Sequence, residues 1–523
     1  MIAILKPADV VSTSTKNLGR IALIKPVLDS IGMRGIADAY APMERNRGIS
    51  NGEALEALVL NRLISPTPLY RVEDWASEYA LEEACGISPD QVNDDRLARA
   101  LDAISPVMED IEADISLRIM SKYGIKPELV HFDFTSIYFE GAYDDSDFLK
   151  LGYSRDQKPD KKQVNVGIDV DAAEGMPLFH SSYDGNVPDP KMAVENLRKI
   201  RERLKPDHMI MVGDRSAIDG EVAMMLTDYG LDFIGAVKMT QKMKGLAASI
   251  PDEKFTPLNA EGVRGRKKGY RAAGMPVEFS HGGRKIETRG MVVLSDKKGE
   301  LDRKRRDDAV AWAESKFDEI RSKLNGRKWK EPGFVRRKVE SVLKRKQGYA
   351  HLFRTEVGGD RGRVSFTYGI DKDSVERDSR LDGKYVLATT VKEWTAERVV
   401  EAYRSRYLAE SRIRNMKNDL AVRPVFLHND GRIRALVFVS ILALMVYTLI
   451  EIIARRKALK SVWGNRDAPI TANQLLLIFT RINVVEHALK DRTRARFVET
   501  LNPVQLEILA RLKFPMPESY VTL

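Results

Sequence analysis

Six residues of this sequence have the types and spacings to do chemistry at phosphorus. Tyr403, Arg406, Glu410 and Lys417 lie in the run YRSRYLAESRIRNMK, at offsets of three, seven and fourteen. Wound as one helix at about 100° per residue, they fall within a wedge of roughly 60°. Arg grips a phosphate through two parallel N–H bonds, Lys supplies a point charge and Tyr a hydroxyl donor. One carboxylate therefore stands among three phosphate binders. Asp133 sits in PELVHFDFTSIYFEG between Phe132 and Phe134, where a lone charge is costly unless paired or metal-bound. Asp214 closes the apolar run HMIMVGD, at the kind of strand end where open α/β sheets carry functional groups. Three such carboxylates could hold two hard divalent cations through oxygen, activating an attacking oxygen and stabilising a leaving one in an in-line displacement.

Each carboxylate also has an ordinary reading. Asp133 could cap a turn at Thr135–Ser136. Asp214 could pair with Arg215 or cap the next helix, and Glu410 could make i,i+4 pairs with Arg406 and Arg414. Spacing alone does not bring Asp214 and Glu410 together across almost two hundred residues.

The elements that must position these residues can be read from periodicity. Residues 1–118 read as helical: NGEALEALVLNRLIS has helical spacing behind a cap at Ser50 or Asn51, and VNDDRLARALDAI repeats the pattern after Asn93. From about 126 the period changes to that of strands, in PELVHFDFTSIYFEG, KQVNVGIDVD and MPLFHSSYDG. PKMAVENLRKIRERL is a helix, HMIMVGD and DFIGAV are further strands with a helix between them, and the order predicts a mixed α/β sheet. Short strands (PVEFSH, GMVVLS) and a basic helical hairpin interrupt this rhythm between about 240 and 365. Sixteen Lys and Arg against eight Asp and Glu fall between 301 and 346, and VRRKVESVLKRK pairs an apolar stripe with a basic face. The sheet is expected to resume at RVSFTYGI and GKYVLATT, before a helix capped at Thr395 that carries the opening motif.

The chain's 523 residues are enough for two to four domains, and its formal net charge of +10 suits a polyanionic partner. One cysteine, Cys85, excludes intrachain disulfides and is expected as a small buried hydrophobe in a reducing compartment. MIAILKPADV lacks a basic start followed by a long apolar run, so no secretory leader is expected. ALVFVSILALMVYTLI at 435–450 runs sixteen residues before Glu451, short of the ~20 needed to span a bilayer, and reads as a core helix. The seven histidines have no metal spacing, and His131 reads as a packed strand residue. Trp312, Trp329 and Trp463 are expected in the core, and no Walker-type loop supports ATP use.

The spacing Y-x2-R-x3-E-x6-K resembles the signature of a large branch of bacterial DDE transposases, the IS-four superfamily. HFDFTSIYFEG and MVGDRSAID resemble that family's first and second Asp motifs, although Ser216 stands where members often have Gly. GYSRDQKPDKKQVNVGIDVD, DGNVPDP and LDGKYVLATT also look familial, so the likeness covers most of residues 10–480. The resemblance implies an RNase H-like mixed sheet flanked by helices, with an insertion domain and a helical N-terminal domain. On that basis residues 1–118 are a helical domain for DNA-end binding, and 119–240 with 366–460 form the catalytic domain. Residues 241–365 are the insertion domain and 461–523 a helical C-terminal region. Asp133, Asp214 and Glu410 become the metal triad, holding two Mg²⁺ with Mn²⁺ a possible substitute. Tyr403, Arg406 and Lys417 grip phosphates, joined on the basic hairpin by Arg336, Arg337 and Lys338. The implied activity is cleavage at the terminal inverted repeats of an insertion sequence and strand transfer into target double-stranded DNA. A homodimer on paired ends, in the bacterial cytoplasm at the nucleoid, is implied as well. The alternatives are an RNase H-like nuclease or resolvase without strand transfer, and a catalytically silent DNA-binding descendant.

Overall fold

The computed structural model describes residues 10–43, 48–206, 208–215, 217–259, 269–420, 427–464, 467–490 and 493–521. In chain order the first elements are β1 (Val10–Asn17), α1 (Ile21–Ile31), α2 (Met33–Tyr40), α3 (Asn51–Ile64), α4 (Val72–Glu78), α5 (Leu81–Cys85), α6 (Asp94–Ile104) and α7 (Met108–Tyr123). Then come β2 (Leu129–Tyr138), β3 (Gln163–Asp171), β4 (Pro177–Asp184), α8 (Asp189–Arg203), β5 (Ile210–Gly213), α9 (Gly220–Asp228) and β6 (Asp232–Ala236). The middle of the chain holds α10 (Gln241–Ala248), β7 (Thr256–Leu258), β8 (Tyr270–His281), β9 (Arg284–Ser295), α11 (Asp296–Ser322), α12 (Pro332–Arg345), β10 (Phe353–Gly358), β11 (Ser365–Ile370), α13 (Lys372–Ser379) and β12 (Lys384–Thr389). Last are α14 (Ala396–Arg404), α15 (Tyr407–Asn418), α16 (Asp430–Arg456), α17 (Ala472–Ile478), β13 (Asn483–Leu489), β14 (Arg494–Val498) and α18 (Pro503–Leu512). They divide into two compact units: residues 1–213, 225–232 and 405–523 form the first, and 214–224 with 233–404 the second.

In the first unit, strands run in the order β4-β3-β2-β5. β3 is antiparallel to both β2 and β4, while β5 runs parallel to β2 after the α8 crossover. This is the mixed, helix-flanked sheet that the strand and helix order predicts. Both faces of β3 are buried: Val164, Val166, Ile168 and Val170 alternate along the strand with Gln163, Asn165, Gly167, Asp169 and Asp171. Gly167 of β3 lies opposite Phe134, and a Cβ there would come 2.9 Å from the Phe132 ring. Only glycine leaves room for the two edge-to-face rings, 4.3 Å apart, that flank Asp133. α16 is long and apolar enough to cross a membrane by length and composition, yet 89% of its most apolar window is buried. It packs against α3, α6 and β4 as the core helix of this unit. Ser50 caps α3 in a capping box with Glu53, and Asn93 caps α6, as their side-chain chemistry predicts.

The two ends of the chain depart from an all-helical reading. β1, β13 and β14 form a separate antiparallel sheet, so neither residues 1–118 nor 461–523 are purely helical. VVSTSTKN and NVVEHAL carry the β-branched residues of strands, but each is short, and VVSTSTKN pairs with a strand more than 460 positions away.

In the second unit the order is β6-β12-β9-β8-β7, all antiparallel where β12, β9, β8 and β7 meet. β8 and β9 are twelve residues each, longer than the short strands expected there. β12 lies in this sheet as anticipated, whereas β11 pairs only with β10 in a two-stranded ribbon. α11 and α12 form the expected hairpin, closed around Phe317, Val335, Val339, Phe353 and Phe366. Trp312 and Trp329 pack at its edge as expected, but Trp463 is 51% exposed because it lies in the loop after α16 rather than on an element with an apolar face.

Candidate functional site

The first unit carries Asp133, Arg406, Glu410 and Lys417. Asp133 is half-buried in β2, and its Oδ1 accepts the Phe134 N–H at 2.9 Å. It lies inside the strand, so it does not cap a turn at Thr135–Ser136. His131, two residues earlier and on the same side of the strand, is fully buried, with Nε2 2.8 Å from Ser405 Oγ. Burial, aided by the nearby Arg406 charge, pushes its imidazole down to about 3. The ring is therefore neutral at physiological pH and fastens β2 to the residue just before Arg406.

That fastening coincides with a correction to the helix reading. Tyr403 to Lys417 is not one helix: α14 ends at Arg404, and α15 starts at Tyr407. A hydroxyl engaged elsewhere makes Ser405 a poor mid-helix residue. The turn still leads straight into α15, because Ser405 O accepts the Leu408 N–H at 2.9 Å and Arg406 O accepts that of Glu410 at 3.2 Å. Arg406, Glu410 and Lys417 stay within roughly 40° of each other around the axis.

α15 packs on β2 and β3, and its buried residues are Ala409, Arg412 and Met416. Arg412 donates from Nε to Gly175 O at 2.7 Å and reaches Glu451 of α16 at 3.6 Å. Glu410 lies on the flank of this stripe and is exposed, whereas Arg406 and Lys417 on the same side of the axis are partly buried. Among the described residues Glu410 makes no ion pair, even with Arg406 and Arg414 one turn away on either side. Lys417 is held 2.7 Å from Asp156, in the loop between β2 and β3.

The second unit carries Asp214, Tyr403 and the basic hairpin. Asp214 follows β5, and its Oδ1 accepts the Ala217 N–H at 3.1 Å in a local turn. The cap of α9 is Asp219, which accepts from Glu221 and Val222 at 3.0 and 3.1 Å. Asp214 is therefore not the helix cap. Ser216 lies outside the described residues. The Tyr403 ring lies 6.1 Å from that of Tyr385, and Arg404 lies 4.6 Å over Tyr270. Arg336, Arg337 and Lys338 are all exposed on α12, but as successive residues they point about 100° apart and do not make one patch. Arg336 reaches Val357 O at 3.4 Å and Lys338 lies 5.5 Å over Phe334, while Arg337 makes no ion pair among the described residues.

Asp133, Asp214 and Glu410 offer only oxygen donors, the chemistry suited to a hard divalent cation. Among the described residues no three His, Cys, Asp or Glu side chains are grouped closely enough to hold an ion. The donor set fits a metal in kind, without a formed cage. Cys85 is buried, and burial pushes its thiol up to about 11, so it is no competing ligand.

In the first unit, Asp133 on β2 of a mixed sheet and the basic side chains Arg406 and Lys417 at α15 are the features to set beside known proteins. The family model described as a transposase DDE domain matches residues 125–446, more than half of the chain, and the chain belongs to that family. A domain of unknown function matches residues 13–112. No curated protein matches the chain. Among solved structures it is similar to piggyBac transposase in a synaptic complex with hairpin DNA, at 9% identity and a TM-score of 0.38, over 88% of this chain and 80% of that one. Family membership makes this a DNA-acting transposase that uses divalent metal.

Residues around the site that the sequence reading gave no role are Ser405, Arg155 and Asp156. The last two lie in GYSRDQKPDKKQ, whose familial look was the available signal.

Proposed function

We propose that this protein is a transposase of the YREK branch, cutting DNA at the terminal inverted repeats of its own insertion sequence and joining the freed ends to target DNA. The observation that carries the reading is Glu410, a carboxylate on a basic helix flank that makes no ion pair among the described residues. Asp133, Asp214 and Glu410 would hold two Mg²⁺, with Mn²⁺ an acceptable replacement; bound there, the ions activate the attacking oxygen and stabilise the leaving one. Arg406 clamps a phosphate oxygen pair beside the scissile bond, Lys417 adds a point charge, and Tyr403 donates a hydroxyl. His131 and Ser405 hold the start of α15 against β2, which keeps Arg406 and Glu410 in register with Asp133. Water is the first nucleophile and the resulting 3′-hydroxyl the second, so one site serves both displacements. Arg336, Arg337 and Lys338 add phosphate contacts, and residues 1–118 recognise the ends. Two ends are handled together by a homodimer in the cytoplasm, on nucleoid DNA.

Glu410→Gln tests this. With Mg²⁺, a duplex carrying the element's end and a plasmid target, the variant should bind the end as wild type does and lose cleavage. Unchanged cleavage would sink the assignment. Nicked but unjoined products from the wild type would favour a nuclease or resolvase, and binding without cleavage a silent binder.

A further inference from the structure

We propose that Asp156 is a positioning residue for DNA-end binding, acting through Lys417; the proposal rests on the transposase reading of Lys417. Lys417 Nζ and Asp156 Oδ1 are 2.7 Å apart, and only 12% and 19% of the two side chains are exposed. A pair this covered has a fixed geometry. The loop does not depend on Asp156 for its own place. Next to it, Arg155 donates from Nη1 to Ser136 Oγ at 3.2 Å and Asn165 Oδ1 at 3.3 Å. Its Nη2 bonds Asp189 at the start of α8, and its guanidinium lies 5.8 Å over the Phe134 ring. Gln163 Nε2 donates to Tyr153 O at 3.0 Å, and a Cβ on Gly152 would overlap Gly185 O, so the loop sits tightly on the sheet edge. Asp156 is thus presented from a rigid loop to a flexible lysine.

A lysine ammonium has three donors, so it can keep Asp156 and still give N–H bonds to a phosphate. Held this way, Lys417 meets DNA with its side chain already ordered. The sign of the effect separates this from simple charge. Removing an acidic residue beside DNA should tighten binding if only net charge matters. Removing the residue that orders Lys417 should weaken it, by roughly tenfold, the scale of freezing one lysine side chain.

The test is a double-mutant cycle on the full chain, read by affinity for an end duplex and by cleavage rate. Asp156→Asn should bind about tenfold more weakly and cleave more slowly, and Asp156→Glu should recover part of both. In a Lys417→Ala background Asp156→Asn should change neither. Tighter binding by Asp156→Asn, or an undiminished loss in the Lys417→Ala background, overturns the proposal. Hydrogen exchange of β2 and β3 identifies a variant that has merely lost its fold, and Asp156→Glu then carries the comparison. Failure of the wild type to bind or cut ends, or cleavage by Glu410→Gln, would count against the transposase reading itself.

Discussion

Gly167→Ala puts a methyl group where the sheet has none to spare. The added Cβ would stand 2.9 Å and 3.2 Å from Cε2 and Cζ of Phe132, and 3.3 Å from Cδ1 of Phe134. Both rings are buried, at 1% and 7% exposure, and they pack edge-to-face on each other, so neither can swing aside freely. Overpacking of this kind costs about 1–3 kcal/mol, offset by roughly 0.5–1 kcal/mol for replacing a strand glycine. The net is a local destabilisation of about 1 kcal/mol, or about fivefold in opening. Native-state hydrogen exchange of the β2–β3 amides should quicken by that factor. DNA cleavage should fall as well, because the displaced rings flank Asp133. Gly274→Ala is the control: nothing lies within 4 Å of its Cβ, so exchange in β8 should stay the same or slow. If β2–β3 exchange in Gly167→Ala is as slow as in wild type, the close packing inferred around Asp133 is wrong.

Two further outcomes are expected. Burial pushes the Asp171 carboxyl up to about 6, against a backbone N–H bond from Glu174 that pulls it down. A raised acid favours the folded state only while protonated, so its contribution is fully present below about 4 and lost as pH rises to about 6. The stability difference between wild type and Asp171→Asn should shift against wild type by up to about 3 kcal/mol over that window and stay flat above pH 7; a flat difference throughout would contradict it. Arg337→Ala, at an exposed position of α12, should lower the slope of log affinity for duplex DNA against log salt by about 1, whatever the sequence. An unchanged slope would remove α12 from the DNA interface.

What the sequence made legible was local. β2, β3, β4, α8 and β5 each carry an unbroken periodic or apolar run, and Ser50 and Asn93 show their capping roles by type and position. The basic hairpin announced itself through Val335 and Val339 on one stripe and cations on the rest. The helix break at Ser405 was hidden: it lies where Ser405 bonds His131, 274 positions away, and no local pattern names that partner. The exposure of Glu410 was hidden for a related reason: helical periodicity gives angles around an axis, and only contact with β2 and β3 decides which angle is buried. The ribbon β10–β11 looked like a resumption of the main sheet because a strand's sequence does not name its partner.

The small sheet of β1, β13 and β14 has a consequence for how the protein is made. Thr13 Oγ1 meets His487 Nδ1 across 474 positions of chain. At about 5–20 residues per second, a ribosome needs roughly 25–95 s between delivering the first of these strands and the second. Through that interval β1 has no hydrogen-bonding partner from β13, and the helices that follow it must wait beside an open edge. The first unit is therefore finished only once Asn483–Leu489 has been made. A polypeptide cut short before Asn483 would carry every proposed catalytic residue and still lack the strand that closes its fold.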